Sequence, residues 1–168
     1  MEEFRQQHPE GTVIDYGCGS SRFLPFLMNY FSHYIGIDLS EEAIHQAWAR
    51  YKMGHDHEVS YIQADVCRHL DCHARLIWCC TVLQHITNDK MLGRTLDCFA
   101  EWCPPGGFVI LIEDTIDDKE EVPNHPYVMF RSIEEYNREM TQRGFVSQKN
   151  VLLATEHTMM VFQKGELI

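Results

Sequence analysis

Val13-Ile14-Asp15-Tyr16-Gly17-Cys18-Gly19-Ser20-Ser21 runs from a short β-rich stretch, through a turn holding two glycines, into residues at helical spacing. Glycine lets the backbone come close to a ligand, and a turn that opens a helix offers that ligand unpaired amide groups. In an open parallel sheet such a ligand lies outside the carboxyl ends of the strands, where strand order reverses. An acidic residue ending the next strand would then take the ribose hydroxyls of a nucleotide-type ligand. Asp38 stands there, about 20 residues beyond Gly19, as that arrangement requires.

Outward from this unit the chain alternates β-rich runs with helical patterns, the mark of an α/β fold in which helices cover both faces of a parallel sheet. Strands are predicted over Thr12–Tyr16, Tyr34–Asp38, Val59–Gln63, Leu76–Thr81 and Phe108–Glu113. Leu76–Thr81 is almost wholly apolar, as a central strand buried on both faces should be. Phe145–Leu153 and His157–Gln163 read as a closing antiparallel hairpin that turns at Thr155-Glu156. A helix opened by Ser20-Ser21 is expected to run through Phe31, with Pro25 tolerated in its first turn. Ser40 caps a second helix, whose apolar face is Ala43, Ile44, Ala47, Trp48 and Tyr51. Met91, Leu92, Leu96, Phe99 and Cys103 mark a third, stopped by Pro104-Pro105-Gly106-Gly107. Ser132 and Glu135 form a capping box that opens a fourth, running to about Arg143 and ending at Gly144.

The 168 residues, 45% hydrophobic and 23% charged, suit a single domain over residues 1–168. A net charge of -11 argues against nucleic acid or an anionic membrane as partner and favours cationic ligands. No uncharged run reaches the length of a spanning helix, and the N-terminal Met1-Glu2-Glu3-Phe4-Arg5 lacks the basic and apolar regions of a secretory signal. Seven irregularly spaced cysteines read as thiols of a reducing, cytoplasmic compartment.

Charge narrows the ligand class. Asp15 lies two residues before the first glycine, and Arg22 stands where the third glycine of G-x-G-x-x-G would pack helix on strand. A carboxylate at 4 Å from a phosphate is repelled by about 4 kcal/mol at an effective dielectric of 20, and is attracted as strongly to an ammonium or sulfonium. A pyrophosphate is therefore disfavoured. A ligand combining ribose, adenine, an amino-acid ammonium and a sulfonium suits the loop.

At these residues the chain resembles the class I S-adenosylmethionine-dependent methyltransferases. Asp15-Tyr16-Gly17-Cys18-Gly19-Ser20-Ser21 is similar to their D-x-G-x-G-x-G loop, with Ser21 in place of the last glycine. Ile35-Gly36-Ile37-Asp38-Leu39-Ser40 resembles the ribose-binding strand end, and Gln63-Ala64-Asp65-Val66 the adenine-binding turn. Leu76 to His85, Pro104-Pro105-Gly106-Gly107 and Arg143-Gly144-Phe145 fit later landmarks in order. The resemblance implies a Rossmann-like doubly wound sheet of about seven strands with an antiparallel C-terminal hairpin. It implies S-adenosyl-L-methionine as cofactor, becoming S-adenosyl-L-homocysteine. It assigns Asp15, Gly17, Gly19, Asp38, Leu39, Asp65, Val66 and Thr81 to cofactor binding.

Two residues are candidates for catalysis. His85 lies just past the carboxyl end of the central strand, where imidazole suits proton transfer, although it equally suits a cap on the helix that follows. Asp114 ends the fifth strand at the same edge, so the two would face one pocket. Gln84-His85-Ile86-Thr87-Asn88 beside Ile112-Glu113-Asp114 is similar to a pattern in protein N-terminal amine methyltransferases. The segment Pro123 to Arg131 lies where a substrate lid would sit, and Arg131 could hold a substrate carboxylate. Cys67-Arg68-His69-Leu70-Asp71-Cys72-His73 is the one cluster resembling a metal site, but its spacing matches no zinc pattern, and no metal is expected. The expected activity is methyl transfer to N or O of a small-molecule acceptor. Two alternatives stand beside it: transfer to a protein's N-terminal amine, with a peptide or partner protein as acceptor, or a non-catalytic cofactor-binding or scaffold protein that keeps the fold.

Overall fold

The computed structural model describes residues 11–51, 58–64, 70, 72–116, 126–153 and 157–166. In its sheet β1 (Thr12–Tyr16) is buried along most of its length and flanked by two parallel neighbours, β2 (His33–Asp38) and β4 (Leu76–Cys80), the latter in the middle of the sheet. Beyond β2 lies β3 (Glu58–Gln63), and beyond β4 lies β5 (Phe108–Glu113), both parallel. β7 (Thr158–Lys164) pairs antiparallel with β5, and β6 (Phe145–Leu152) pairs antiparallel with β7 at the outer edge. The order is β3-β2-β1-β4-β5-β7-β6. Successive strands leave β1 on one side and β4 on the other, so order reverses between them, and the glycine turn after β1 sits at that switch point.

Alternation along the strands sends side chains to two cores. Ile14, Ile77, Cys79, Val109, Leu111 and Phe162 pack on one face against α3 (Asp89–Trp102) and α4 (Ile133–Thr141). Val13, Leu76, Trp78, Ile110 and Ile112 pack on the other, with Leu24 and Leu27 of the single-turn α1 (Leu24–Leu27) and with Phe31. α2 (Glu41–Tyr51) buries Ile44 and Ala47, while Trp48 stays half-exposed, edge-on to Tyr61.

The α/β class, the seven strands and the antiparallel end agree with the sequence reading. The first helix does not: only four residues of the stretch predicted from Ser20 through Phe31 are helical. The rest is a run of tight turns, in which Ser21 N donates to Cys18 O, Leu24 N to Ser21 O and Tyr30 N to Leu27 O. Pro25 has no amide to give, and the Asn29 side-chain amide donates to the Pro25 and Phe26 carbonyls, competing with the helical backbone for its acceptors. β4 stops at Cys80 because Thr81 turns out at φ 56°, and a 3-10 turn, Leu83–His85, follows that the periodicity did not signal. The cap of α3 is Asn88, which accepts from Lys90 N and Met91 N, so His85 has no capping role. The capping box at Ser132 forms as read, and Gly144 follows α4 at φ 78°. β6 carries a register shift between Ser147 and Lys149. The hairpin turn at Thr155-Glu156 lies outside the described residues. Among the described residues no helix is long and apolar enough to cross a membrane.

Candidate functional site

Gly17 and Gly19 both take positive φ, 71° and 53°. At Gly17 there is also no room: a Cβ would lie 2.2 Å from Val82 Cγ2. The loop is tied to β2 by two amides, Gly17 N and Cys18 N, which donate to Ile37 O at 2.8 and 3.0 Å. Asp38 completes the tie, its Oδ2 accepting from Gly19 N at 2.7 Å and its Oδ1 from Ser40 N at 2.8 Å. A carboxylate oxygen can accept more than one hydrogen bond, so Asp38 keeps acceptor capacity toward a ligand. It faces a cavity of about 420 Å³ lined also by Gly17, Leu39, Ala64, Thr81, His85 and Met91. Asp65 and Val66, which follow Ala64, lie outside the described residues.

Asp15 is 2% exposed. Tyr34 Oη donates to its Oδ2 at 2.6 Å and lies 3.2 Å from Ser21 Oγ. Burial pushes the Asp15 carboxyl up to about 7, against the opposing pull of the Tyr34 hydrogen bond; nearby Asp38 raises it further and Arg22 lowers it. Asp15 lines a smaller cavity, about 280 Å³, together with Gly17, Gly19, Arg22 and Thr81. The lining of this chamber thus includes a buried carboxyl and a guanidinium, suited to the two charges of an amino-acid group.

A third cavity, about 810 Å³, opens on the α1 face of the sheet and is mainly apolar, with Phe23, Phe26, Trp78, Ile112 and Met159 in its lining and His157 and Arg22 as polar members. Thr81 borders all three cavities. A β-branched residue at positive φ is strained and needs its surroundings to hold it. Here Thr81 N donates to Ile112 O at 2.7 Å.

The turn after Thr81 is fixed from both sides. Glu113, fully buried at the end of β5, accepts from the amides of Val82 (3.1 Å), Leu83 (2.9 Å) and Gln84 (3.2 Å). Burial pushes its carboxyl up to about 7 despite these three donors. Arg131 supplies the opposite polarity, donating to Leu83 O at 3.2 Å, Ile86 O at 2.8 Å and Asp89 Oδ1 at 3.1 Å. Its guanidinium is therefore spent inside the protein, not offered to a substrate carboxylate. Sequence reasoning missed both residues as a pair of supports. The available signal was Glu113 itself, a charge closing a strand otherwise made of apolar residues, which must be paired if it is buried.

His85 and Asp114 lie at this edge but are not hydrogen-bonded to each other. His85 Nδ1 is 3.2 Å from Tyr127 O and its ring lines the 420 Å³ cavity. Asp114 pairs with Gln84, its Oδ2 accepting from Nε2 at 3.2 Å and its amide donating to Oε1 at 3.0 Å. Its Oδ1 lies 3.4 Å from His157 Nε2. Most of the Cys67 to His73 cluster lies outside the described residues, as do residues 123–125 of the expected lid; of its remainder, Tyr127 is exposed, Met129 N donates to Gln84 O at 2.8 Å and Arg131 is buried. Among the described residues no three His, Cys, Asp or Glu side chains gather as metal ligands.

Comparison with solved structures finds the same architecture. N-methyltransferase NodS from Bradyrhizobium japonicum WM9, in complex with S-adenosyl-L-homocysteine, superposes with a TM-score of 0.80 at 16% identity, over 98% of this chain and 84% of its own. CalS10 from Micromonospora echinaspora, an amino pentose methyltransferase bound to S-adenosylmethionine and involved in calicheamicin biosynthesis, gives 0.77 at 13%, over 97% and 87%. A chain from the complex of the Haloferax volcanii Trm112 methyltransferase activator gives 0.75 at 17%, over 98% and 88%. No curated protein matches the sequence. The family model described as a methyltransferase domain matches residues 13–107, from β1 to the turn before β5. Because that match spans more than half of the chain and begins with the glycine loop, the chain belongs to the methyltransferase domain family, on the class I Rossmann-like fold.

Proposed function

We propose that the chain transfers the methyl group of S-adenosylmethionine to N or O of a small-molecule acceptor. The observation that carries this reading is the placement of Asp15 and Asp38 at neighbouring strand ends around a glycine turn that admits no side chain at Gly17. Asp38 would take the ribose hydroxyls, with Leu39 against the adenosine. Asp15 would take the ammonium, and Arg22 the carboxylate. Gly17 and Gly19 let the backbone approach, and Thr81 would border the reacting end. Asp65 and Val66 are assigned to the adenine on sequence alone.

The cofactor supplies an already activated methyl group on sulfur. The protein's contribution is alignment, worth up to about 7–11 kcal/mol when two reactants are held in line. The apolar 810 Å³ cavity meets the cofactor chamber at Arg22, Phe23, Cys80 and Thr81, and is the proposed entry for the acceptor. Proton removal, where the nucleophile needs it, is assigned to His85, whose 420 Å³ chamber shares Thr81 with this entry, or to Asp114, whose Oδ1 lies 3.4 Å from His157 in the entry's lining.

Calorimetric titration with S-adenosylmethionine and S-adenosylhomocysteine tests the reading. Asp38→Ala is expected to weaken both at least about tenfold, the loss of one or more charge-assisted hydrogen bonds. Unchanged affinity in the variant removes the ribose assignment.

A further inference from the structure

The residue in place of the loop's last glycine is Ser21, fully buried and held at φ 59°. A side chain in that backbone region is strained, so keeping one there calls for a compensating contact. Its hydroxyl has one: Oγ lies 3.2 Å from Tyr34 Oη, and Tyr34 Oη donates to Asp15 Oδ2 at 2.6 Å. Ser21, Tyr34 and Asp15 thus form a buried hydrogen-bonded chain, contributed by the loop, β2 and β1, whose carboxyl end opens on the 280 Å³ cavity.

We propose that Ser21 and Tyr34 are positioning residues that hold Asp15 for the cofactor's ammonium, and that cofactor uptake expels a proton from Asp15 to solvent. The inference rests on the cofactor reading above. Burial favours the uncharged form of this carboxyl below neutral pH, and an ammonium beside it favours the carboxylate. The groups facing Asp15 are Tyr34 and Asp38 from β2, Cys18 and Arg22 from the loop and the turn after it, Tyr61 from β3, and Cys79 and Cys80 from β4. Burial pushes every one of these thiols and phenols upward, Cys18 and Tyr61 to about 12, so they stay neutral at physiological pH. Within this set the Asp15 carboxyl is the group that burial pushes up to about 7.

The test is calorimetry with S-adenosylhomocysteine from pH 5.5 to 7.5, in buffers of different ionisation enthalpy. Wild-type affinity should rise at least about fourfold across that range, as the charged fraction of Asp15 grows, with proton release on binding at pH 6. Tyr34→Phe removes a hydrogen bond that favours the carboxylate. Its curve should move to higher pH and still be climbing at pH 7.5, where wild type has nearly levelled. Ser21→Gly, which relieves the backbone, should move the curve the same way by less, and it carries the test if Tyr34→Phe does not fold. Asp15→Asn should abolish the pH dependence while Glu113 remains to titrate. Binding without proton release, or a Tyr34→Phe loss that is equal at every pH, overturns the inference and leaves the cofactor reading standing. No binding at any pH removes both.

Discussion

Arg131 and Asp38 show what a single side chain discloses in sequence and what it hides. Asp38 was legible because its partners are fixed by spacing: a strand end, a glycine loop and a shared crevice. Arg131 was not, because two of its three partners are backbone carbonyls, at Leu83 and Ile86, which carry no sequence signature. With its side chain 5% exposed, it cannot be removed without leaving those acceptors dry. Arg131→Met is expected to cost about 2–4 kcal/mol of stability, read by urea unfolding, and to weaken cofactor binding by loosening the turn after Thr81. A change below about 0.5 kcal/mol would mark the arginine as an ordinary surface residue. His85 and Asp114 lie past the carboxyl ends of β4 and β5, where the sequence reading put them, but their separate partners, Tyr127 and Gln84, depend on how a 3-10 turn seats itself.

Elements were read well where periodicity and punctuation agree. β1 and β5 carry the predicted bounds, and the capping box of α4 has both of its reciprocal hydrogen bonds. Ser132→Ala should therefore lower stability by about 1 kcal/mol, measured by thermal or chemical denaturation, with Glu135→Ala showing a smaller loss of the same sign. α1 failed as a prediction because its apolar spacing is helical while Pro25 and Asn29 act against the helix locally. Burial explains how both hold: Leu24, Leu27 and Phe31 reach the core from successive turns as well as from a helix.

Two buried carboxyls give the whole molecule a pH dependence. Asp15 and Glu113 are both raised, from 3.8 and 4.5 respectively, to about 7. Between those limits the folded chain holds protons that the unfolded chain has released, so stability falls as pH climbs from about 4 to about 7. The net charge of -11 acts in the same direction through self-repulsion. The ligand-free protein should melt lower at pH 8 than at pH 5.5, by an amount corresponding to a few kcal/mol. Scanning calorimetry checks this, and Asp15→Asn should make the profile shallower, leaving the contribution of Glu113. The seven strands, the helices on both sheet faces and the antiparallel end were readable from alternation and β–α repetition. The pKa shifts were not, since they arise from depth in the finished core.

The register shift between Ser147 and Lys149 falls on the outermost strand, whose residues are mostly exposed. A strand boundary that is kinked and carries a lysine makes a poor template for another chain to zip onto. Among the described residues this sheet margin therefore has little tendency toward fibrous stacking.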